Sequence, residues 1–437
     1  MFYLGLTSSI AQYTPPPAAT KKDRNGAKRE VQGNHNARAT SNIQALAGSS
    51  NEAGGQEGDK SSSGNSLLSN SGASPADNKT SKTREMLTIK DMEAKLLANQ
   101  GMVVGRDIDS YNVYLPKTGG FLHTLEAGKE NSQQMLMIHG YGACSAFWWK
   151  VIAQLKQYYH IYAIDQYGTG QSSRPPFTAQ TFEETESFFL DPIEEFVSVM
   201  KLKNFILVGH SFGGYTSARF VISKQPDLKA LYLVSPAGFT YRTPREVGDY
   251  VKQKFGRNEL FAQAARGVFH MIDNLRFIPM QLMNFIGRKN LLSGFYGGLR
   301  LRNNKQEARV IAELYYLITE LKNSGDKALG EFLCFGQYSK RPLVKDLTKL
   351  ENEGKLPDMK VYFGASDWID SNNAQKRLKD LEGKFDIEIL RNCGHQIIFQ
   401  EPVHLAEKIA TDQGIDFKEV KTVNLLDSDD NIDLSLE

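Results

Sequence analysis

An α/β fold, with a mostly parallel sheet, helices on both faces and an inserted helical lid, is predicted by three features of this 437-residue sequence. Short apolar runs alternate with helical patterns. One of these runs leads straight into a glycine-flanked serine. A single long helical, aromatic stretch then breaks the rhythm. The apolar runs lie at 121–125, 135–138, 160–164, 205–208, 231–234, 361–363 and 387–390. A helix beginning near Ala146 precedes the third, and an amphipathic helix over 188–201 precedes the fourth. Runs of this length, separated by helices and apolar throughout, indicate parallel strands covered on both faces. From Gly238 to about Lys345 the alternation stops, which predicts helices inserted over the carboxyl edge of the sheet.

The expected organisation follows from composition. Residues 1–84 are rich in Ser, Gly and Asn, lack enough apolar surface to form a core, and are expected to be disordered. Residues 85–239 form the first part of the core, 240–345 the lid and 346–415 the second part. Residues 416–437 form an acidic, flexible tail. No run of about 18 apolar residues occurs, so no membrane-spanning helix is expected. The short apolar start carries no preceding basic residue, against a secretory signal, whereas Lys21, Lys22, Arg24, Lys28 and Arg29 leave a mitochondrial presequence open. Three cysteines cannot pair completely, which suits a reducing compartment and a cytoplasmic placement. The net charge of +2 does not suggest a nucleic-acid partner. Its distribution is uneven: residues 240–345 hold 18 Lys and Arg against 9 Asp and Glu, the rest 34 against 41.

The residues that carry chemistry begin at Gly209-His210-Ser211-Phe212-Gly213-Gly214, after Ile206-Leu207-Val208 and at the start of a helix. A serine in G-x-S-x-G means little alone, but between a strand and a helix it matches the strained turn that exposes a nucleophile. Gly209 and Gly213 let strand and helix pass closely. An attacking serine develops an oxyanion, which pre-aimed N–H groups must stabilise. Phe212 N–H follows the nucleophile, and Tyr141 N–H lies in His139-Gly140-Tyr141-Gly142 after an earlier strand. His139 is read as positioning that loop. In this architecture the order Ser, acid, His is required. Asp367 stands after the strand at 361–363, with Asp370 as the alternative acid, and His395 follows the last strand. His123, His160, His270 and His404 are read as structural or exposed, and His210 as pointing into the turn. The loop from Gly168 lacks the G-K-[ST] ending of a phosphate loop. No Cys/His set has zinc spacing, so neither metal nor cofactor is expected.

With Ser211, Asp367 and His395 in that order, the fold class becomes the α/β-hydrolase fold. Residues 87–408 resemble the α/β-hydrolase-domain four/five subfamily, a group of lysophospholipases, N-acyl phosphatidylethanolamine lipases, lipase coactivators and cardiolipin deacylases. The resemblance rests on residues 91–97, His139-Gly140-Tyr141-Gly142, the run from Asp165 through GTGQSSRP and Pro236-Ala237-Gly238-Phe239. It continues through Asn323-Ser324-Gly325, Arg341-Pro342-Leu343 and Asp367-Trp368-Ile369-Asp370. It implies a serine ester hydrolase of membrane lipids, a phospholipase or lysophospholipase that releases fatty acid through an acyl-Ser211 intermediate. Several members carry His-x4-Asp at the catalytic histidine, associated with lysophosphatidic acid acyltransfer; here Gln400 replaces that aspartate, which weighs towards hydrolysis. The retained Ser211 weighs against a purely coactivating role. Acyl-CoA-dependent acyltransfer to a lysophospholipid and lipase coactivation on lipid droplets remain the alternatives.

Within the lid, aromatics from Phe255 to Tyr296 are interleaved with cations, Arg288 and Lys289 among them. Most of these aromatics are read as packing the lid onto the core. A basic, aromatic surface also suits peripheral contact with an anionic membrane or lipid droplet.

Overall fold

All seven apolar runs form strands, and an eighth strand precedes them. The structure, a computed structural model, describes residues 88–239, 305–321, 324–332, 339–367 and 385–421. The expected N-terminal segment, most of the lid with Arg288 and Lys289, the alternative acid Asp370, and residues 422–437 lie outside the described residues.

In chain order the strands are β1 (Ile108–Leu115), β2 (Gly120–Ala127), β3 (Gln134–Ile138), β4 (His160–Ile164), β5 (Phe205–His210), β6 (Leu228–Val234), β7 (Asp358–Gly364) and β8 (Asp386–Leu390). They make one sheet in the order β1-β2-β4-β3-β5-β6-β7-β8. The β1–β2 and β2–β4 pairs are antiparallel, and the remaining pairs are parallel. The strands at the centre are buried on both faces: every residue of β5 is buried, as are four of the five in β3. That double burial is why they read as continuous apolar runs rather than as alternation.

The described helices, numbered among themselves, are α1 (Ile89–Ala98), α2 (Trp149–Leu155), α3 (Phe182–Val199), α4 (Phe212–Lys224), α5 (Lys305–Glu320), α6 (Ser324–Phe332), α7 (Leu343–Asn352), α8 (Ile397–Gln400) and α9 (Pro402–Asp412). Among the described residues no helix is long and apolar enough to cross a membrane. Helix α1 starts at a capping box, in which Thr88 accepts from Asp91 N and Asp91 accepts from Thr88 N. Helix α3 starts the same way with Thr181 and Glu184. One face of the sheet is covered by α1, α2, α5 and α9, which bury Leu96, Trp149, Leu314 and Leu405 in one cluster. The other is covered by α3, α4, α6 and α7, with Phe196, Phe220, Phe332 and Leu347 in a second cluster.

The described part of the expected lid, residues 305–321, 324–332 and 339–345, is largely helical and packs on the core. Its expected end at 345 falls inside α7. Gly325 N donates to Gly168 O at 3.1 Å, fixing the start of α6 on the loop after β4. Leu343 N and Val344 N donate to Gly238 O and Phe239 O, so the run 236–239 anchors α7. The first residues of the expected acidic tail also have partners: Val420 N donates to Gln154 Oε1 at 2.8 Å, and Lys418 N donates to Tyr158 Oη at 2.7 Å.

Candidate active site

Strand β5 ends at His210 and α4 begins at Phe212, so Ser211 alone makes the turn between them, at φ 56° and ψ −118°. That is a left-handed backbone on a non-glycine residue, a conformation that costs about 1–3 kcal/mol and persists only where its surroundings impose it. They do so here. Ser211 N donates to Val234 O at 2.9 Å, and Ala237 N donates to Ser211 O at 2.9 Å. A Cβ on Gly209 would fall on Gly213 O, and one on Gly213 would fall on the carbonyl oxygens of Ile138 and His139. Both glycines are therefore required by close backbone approach.

The loop after β3 lies against Ser211: a Cβ on Gly140 would sit 3.0 Å from Ser211 Cβ. Tyr141 follows directly, and its half-buried side chain packs against both core clusters. Phe212 is the first residue of α4, so the helix offers its N–H no partner of its own. Its ring packs on Phe189 of α3 and Phe332 of α6. His139 is buried, and burial holds its imidazole below the usual histidine pKa against the pull of Asp165. Its Nε2 accepts from Gln166 N at 3.0 Å, and its Nδ1 faces Gly140 O at 2.7 Å, so it braces the loop. Gln166 adds a second brace. Its Nε2 donates to His139 O at 2.8 Å, and its Oε1 accepts from Thr216 of α4 at 2.9 Å.

Asp367 and His395 lie on the loops after β7 and β8. Asp367 N donates to Gly364 O at 3.0 Å, closing a turn at the end of β7. Ala365 N donates to Leu390 O and Ser366 N to Cys393 O, which binds the two loops to each other. His395 Nδ1 lies 3.1 Å from Asp367 Oδ1 and its Nε2 lies 2.9 Å from Ser211 Oγ. All three residues are buried, with exposures of 4% for Ser211, 8% for Asp367 and 6% for His395. A hydroxyl, an imidazole and a carboxylate thus form one chain of hydrogen bonds, in the order that lets the imidazole take the hydroxyl proton while the carboxylate orients it.

The sequence-predicted residues therefore meet in one place: Ser211, His395 and Asp367 in contact, with Phe212 and the loop of Tyr141 beside them. Cys393 lies next to this site, but burial pushes its thiol up to about 12, so it holds little thiolate at neutral pH. Among the described residues no cluster of His, Cys, Asp and Glu could hold a metal ion. Sequence reasoning missed two contacts. His210 Nε2 faces His395 O at 2.9 Å, and Gln400 Oε1 accepts from Gly394 N at 2.6 Å. Neither has a local signature, since each depends on how a distant or irregular segment folds back.

Comparison with known proteins agrees with this architecture. A family model of the alpha/beta hydrolase fold matches residues 134–402. A 1-acylglycerol-3-phosphate O-acyltransferase of Arabidopsis thaliana is 30% identical over 284 residues, covering 63% of this chain and 65% of that protein. The human 1-acylglycerol-3-phosphate O-acyltransferase ABHD5 is 27% identical over 281 residues, 64% of this chain and 77% of that protein. The match thus spans somewhat less than two thirds of the plant relative's length. Naproxen esterase from Bacillus subtilis superposes with a TM-score of 0.50 at 14% identity, covering 74% of this chain and 96% of that one, a likeness of fold alone. By the family model and by its similarity to ABHD5-type proteins, the chain belongs to the alpha/beta hydrolase fold family.

Proposed function

We propose that this protein is a serine hydrolase that cleaves a fatty acyl ester of a phospholipid or lysophospholipid. The observation that carries the reading is the buried chain of hydrogen bonds from Ser211 Oγ through His395 to Asp367. Ser211 Oγ attacks the ester carbonyl carbon as His395 Nε2 takes its proton, and the N–H groups of Phe212 and Tyr141 receive the oxyanion. Collapse expels the lipid alcohol, which takes the proton from His395, and leaves acyl-Ser211. Water then attacks the acyl carbonyl, giving up its proton to His395, and fatty acid departs as Ser211 recovers that proton. Every bond change is served by groups of this chain and by water.

A second reading forms the same acyl-Ser211 intermediate from acyl-CoA, with the CoA thiol leaving with the proton from His395. If the hydroxyl of a lysophosphatidic acid, rather than water, resolves the acyl-enzyme, the product is a diacyl phospholipid. The names of the Arabidopsis and human relatives favour it. The replacement of aspartate by Gln400 is weaker evidence against transfer than the sequence alone suggests. Gln400 Oε1 spends its acceptor on Gly394 N–H, and a carboxylate oxygen would accept equally well.

The test supplies labelled lysophospholipid, or labelled acyl-CoA with lysophosphatidic acid, to the wild type and to Ser211→Ala. Free labelled fatty acid that depends on Ser211 supports hydrolysis. Labelled diacyl product supports transfer. Absence of both, with no fluorophosphonate labelling, would leave only the role of lipase coactivator. Peripheral membrane contact through Arg288 and Lys289 belongs to the same proposal. Each cation near an anionic surface contributes about 1 kcal/mol. Reversing both to Glu is expected to reduce flotation with anionic vesicles while sparing turnover of a soluble ester.

A further inference from the structure

The peptide units that carry His395 sit in an irregular stretch between β8 and α8, with no ladder or helix to fix them. Two side chains from elsewhere hold them. On the N-terminal side, Gly394 N–H donates to Gln400 Oε1 at 2.6 Å. On the C-terminal side, His395 C=O lies 2.9 Å from His210 Nε2. A carbonyl oxygen only accepts, so His210 carries its proton on Nε2. Its bare Nδ1 then turns towards the loop after β3, where a Cβ on Gly140 would come within 3.2 Å of it. The ring is further confined by Trp148, edge-on at 6.3 Å between centroids, and by the His395 ring at 5.1 Å.

We propose that His210 and Gln400 are positioning residues for His395, gripping the backbone on either side of it so that Nε2 meets Ser211 Oγ; this rests on the reading of His395 as the base. Two backbone groups at residues 394 and 395, Gly394 N–H and His395 C=O, are thus held by side chains. Losing either grip loosens the segment between the Ser366–Cys393 backbone contact and α8, and the imidazole can then shift relative to both Ser211 and Asp367. The choice of histidine for one grip has a further consequence. His395 becomes a cation in each half of the cycle, and a second cation 5.1 Å away would oppose that. Burial, with the neighbouring His395, pushes His210 down to about 3, so it stays a neutral donor. No lysine or arginine could fill that place, since either would bring a charge.

The test compares His210→Leu with His210→Gln, which keeps an N–H donor, and Gln400→Leu with Gln400→Glu, which keeps an oxygen acceptor. Turnover of a soluble ester and fluorophosphonate labelling are measured in the full-length protein. Losing either grip should lower kcat ~10–100-fold with KM nearly unchanged, the scale set by a misplacement of about 1 Å at the reacting groups. The donor- and acceptor-keeping variants should recover most of that loss. In a His395→Ala background the same substitutions should have no further effect on residual turnover, because they act only through His395. Folded His210→Leu and Gln400→Leu proteins with wild-type kcat would overturn the proposal, as would equal losses with and without His395. If one Leu variant does not fold, the other and the two conservative variants decide. Wild-type turnover by His395→Ala itself would instead sink the assignment of the base, a separate failure.

Discussion

The two halves of the site are built differently. Ser211 and the groups proposed to face the oxyanion sit where regular elements end, at the carboxyl ends of β3 and β5 and the first turn of α4. Backbone contacts fix them: Ser211 N on Val234 O, and Gly209 and Gly213 in backbone contact that leaves no room for a methyl group. Asp367 and His395 sit on loops, three and five residues beyond β7 and β8. There, backbone contacts between loops are supplemented by the side chains of His210 and Gln400. The Ser211 half is fixed by backbone contacts where regular elements end, and the Asp367–His395 half is held partly by side chains. A strained turn tolerates no adjustment, whereas a loop held by side chains leaves the imidazole free to be placed by whichever partners grip it.

The largest expected effect treats both halves alike. Ser211→Ala, His395→Ala and Asp367→Asn should each lower kcat by ~10³ or more, and pairs of these changes should not multiply, because the three act as one unit. Asp370→Asn should stay near wild type on a soluble ester. Collapse of Asp370→Asn with survival of Asp367→Asn would transfer the role of acid to Asp370 and break the account of the second loop.

Stability should separate the halves. A methyl group on Gly213 would fall on the carbonyl oxygens of Ile138 and His139, which belong to a strand end and cannot yield. Gly213→Ala is therefore expected to cost about 3 kcal/mol by urea unfolding. At Gly394 the nearest atom to an added Cβ is Ser366 O at 3.2 Å, on a neighbouring loop. Gly394→Ala should cost less than about 1 kcal/mol. Equal costs would mean that the base loop is as rigid as the nucleophile turn.

The same contrast explains what the sequence made legible. Apolar runs buried on both faces mark β3, β5 and β6 unmistakably, and the serine turn is a contiguous pattern. Strand β1 escaped because Ile-Asp-Ser-Tyr-Asn-Val-Tyr-Leu is an edge strand with only Ile108, Val113 and Leu115 buried, too polar to stand out. Its place at the strand end favoured Asp367 over Asp370 without deciding between them; the distance from Asp367 to His395 is a fact of three dimensions. The role of Gln166 was equally hidden, since it joins His139 on one loop to Thr216 on a helix 50 residues further on. Gln400 was visible only as a departure from a family pattern, and its contact with Gly394 gives that position a physical use.

An effect seen only as pH changes concerns two buried histidines with opposite environments. His210, on the active-site side, is pushed down to about 3 by burial first and by the neighbouring His395 second, against the weaker upward pull of its hydrogen bond to His395 O and of Asp367. His123 on β2 is also buried, but its hydrogen bond to Glu93 at 3.0 Å, together with the charges of Asp165 and Glu93, outweighs burial and raises it. The linkage signs therefore differ. An unfolded chain protonates histidine near pH 6.5. Between that value and about 3, the unfolded state takes a proton at position 210 that the folded state refuses. Stability then falls by about 1.4 kcal/mol per pH unit, or about 2 kcal/mol at pH 5. His123 contributes in the other sense: its stabilisation is fully present below the unfolded value and is lost as pH rises through the folded one. Urea unfolding at pH 7.5 and pH 5 should thus show a smaller acid loss in His210→Gln than in wild type, and a larger one in His123→Gln. Identical acid losses in wild type and His210→Gln would mean that the His210 ring accepts a proton in the folded protein. The neutral donor inferred for the base loop would then be lost in mild acid.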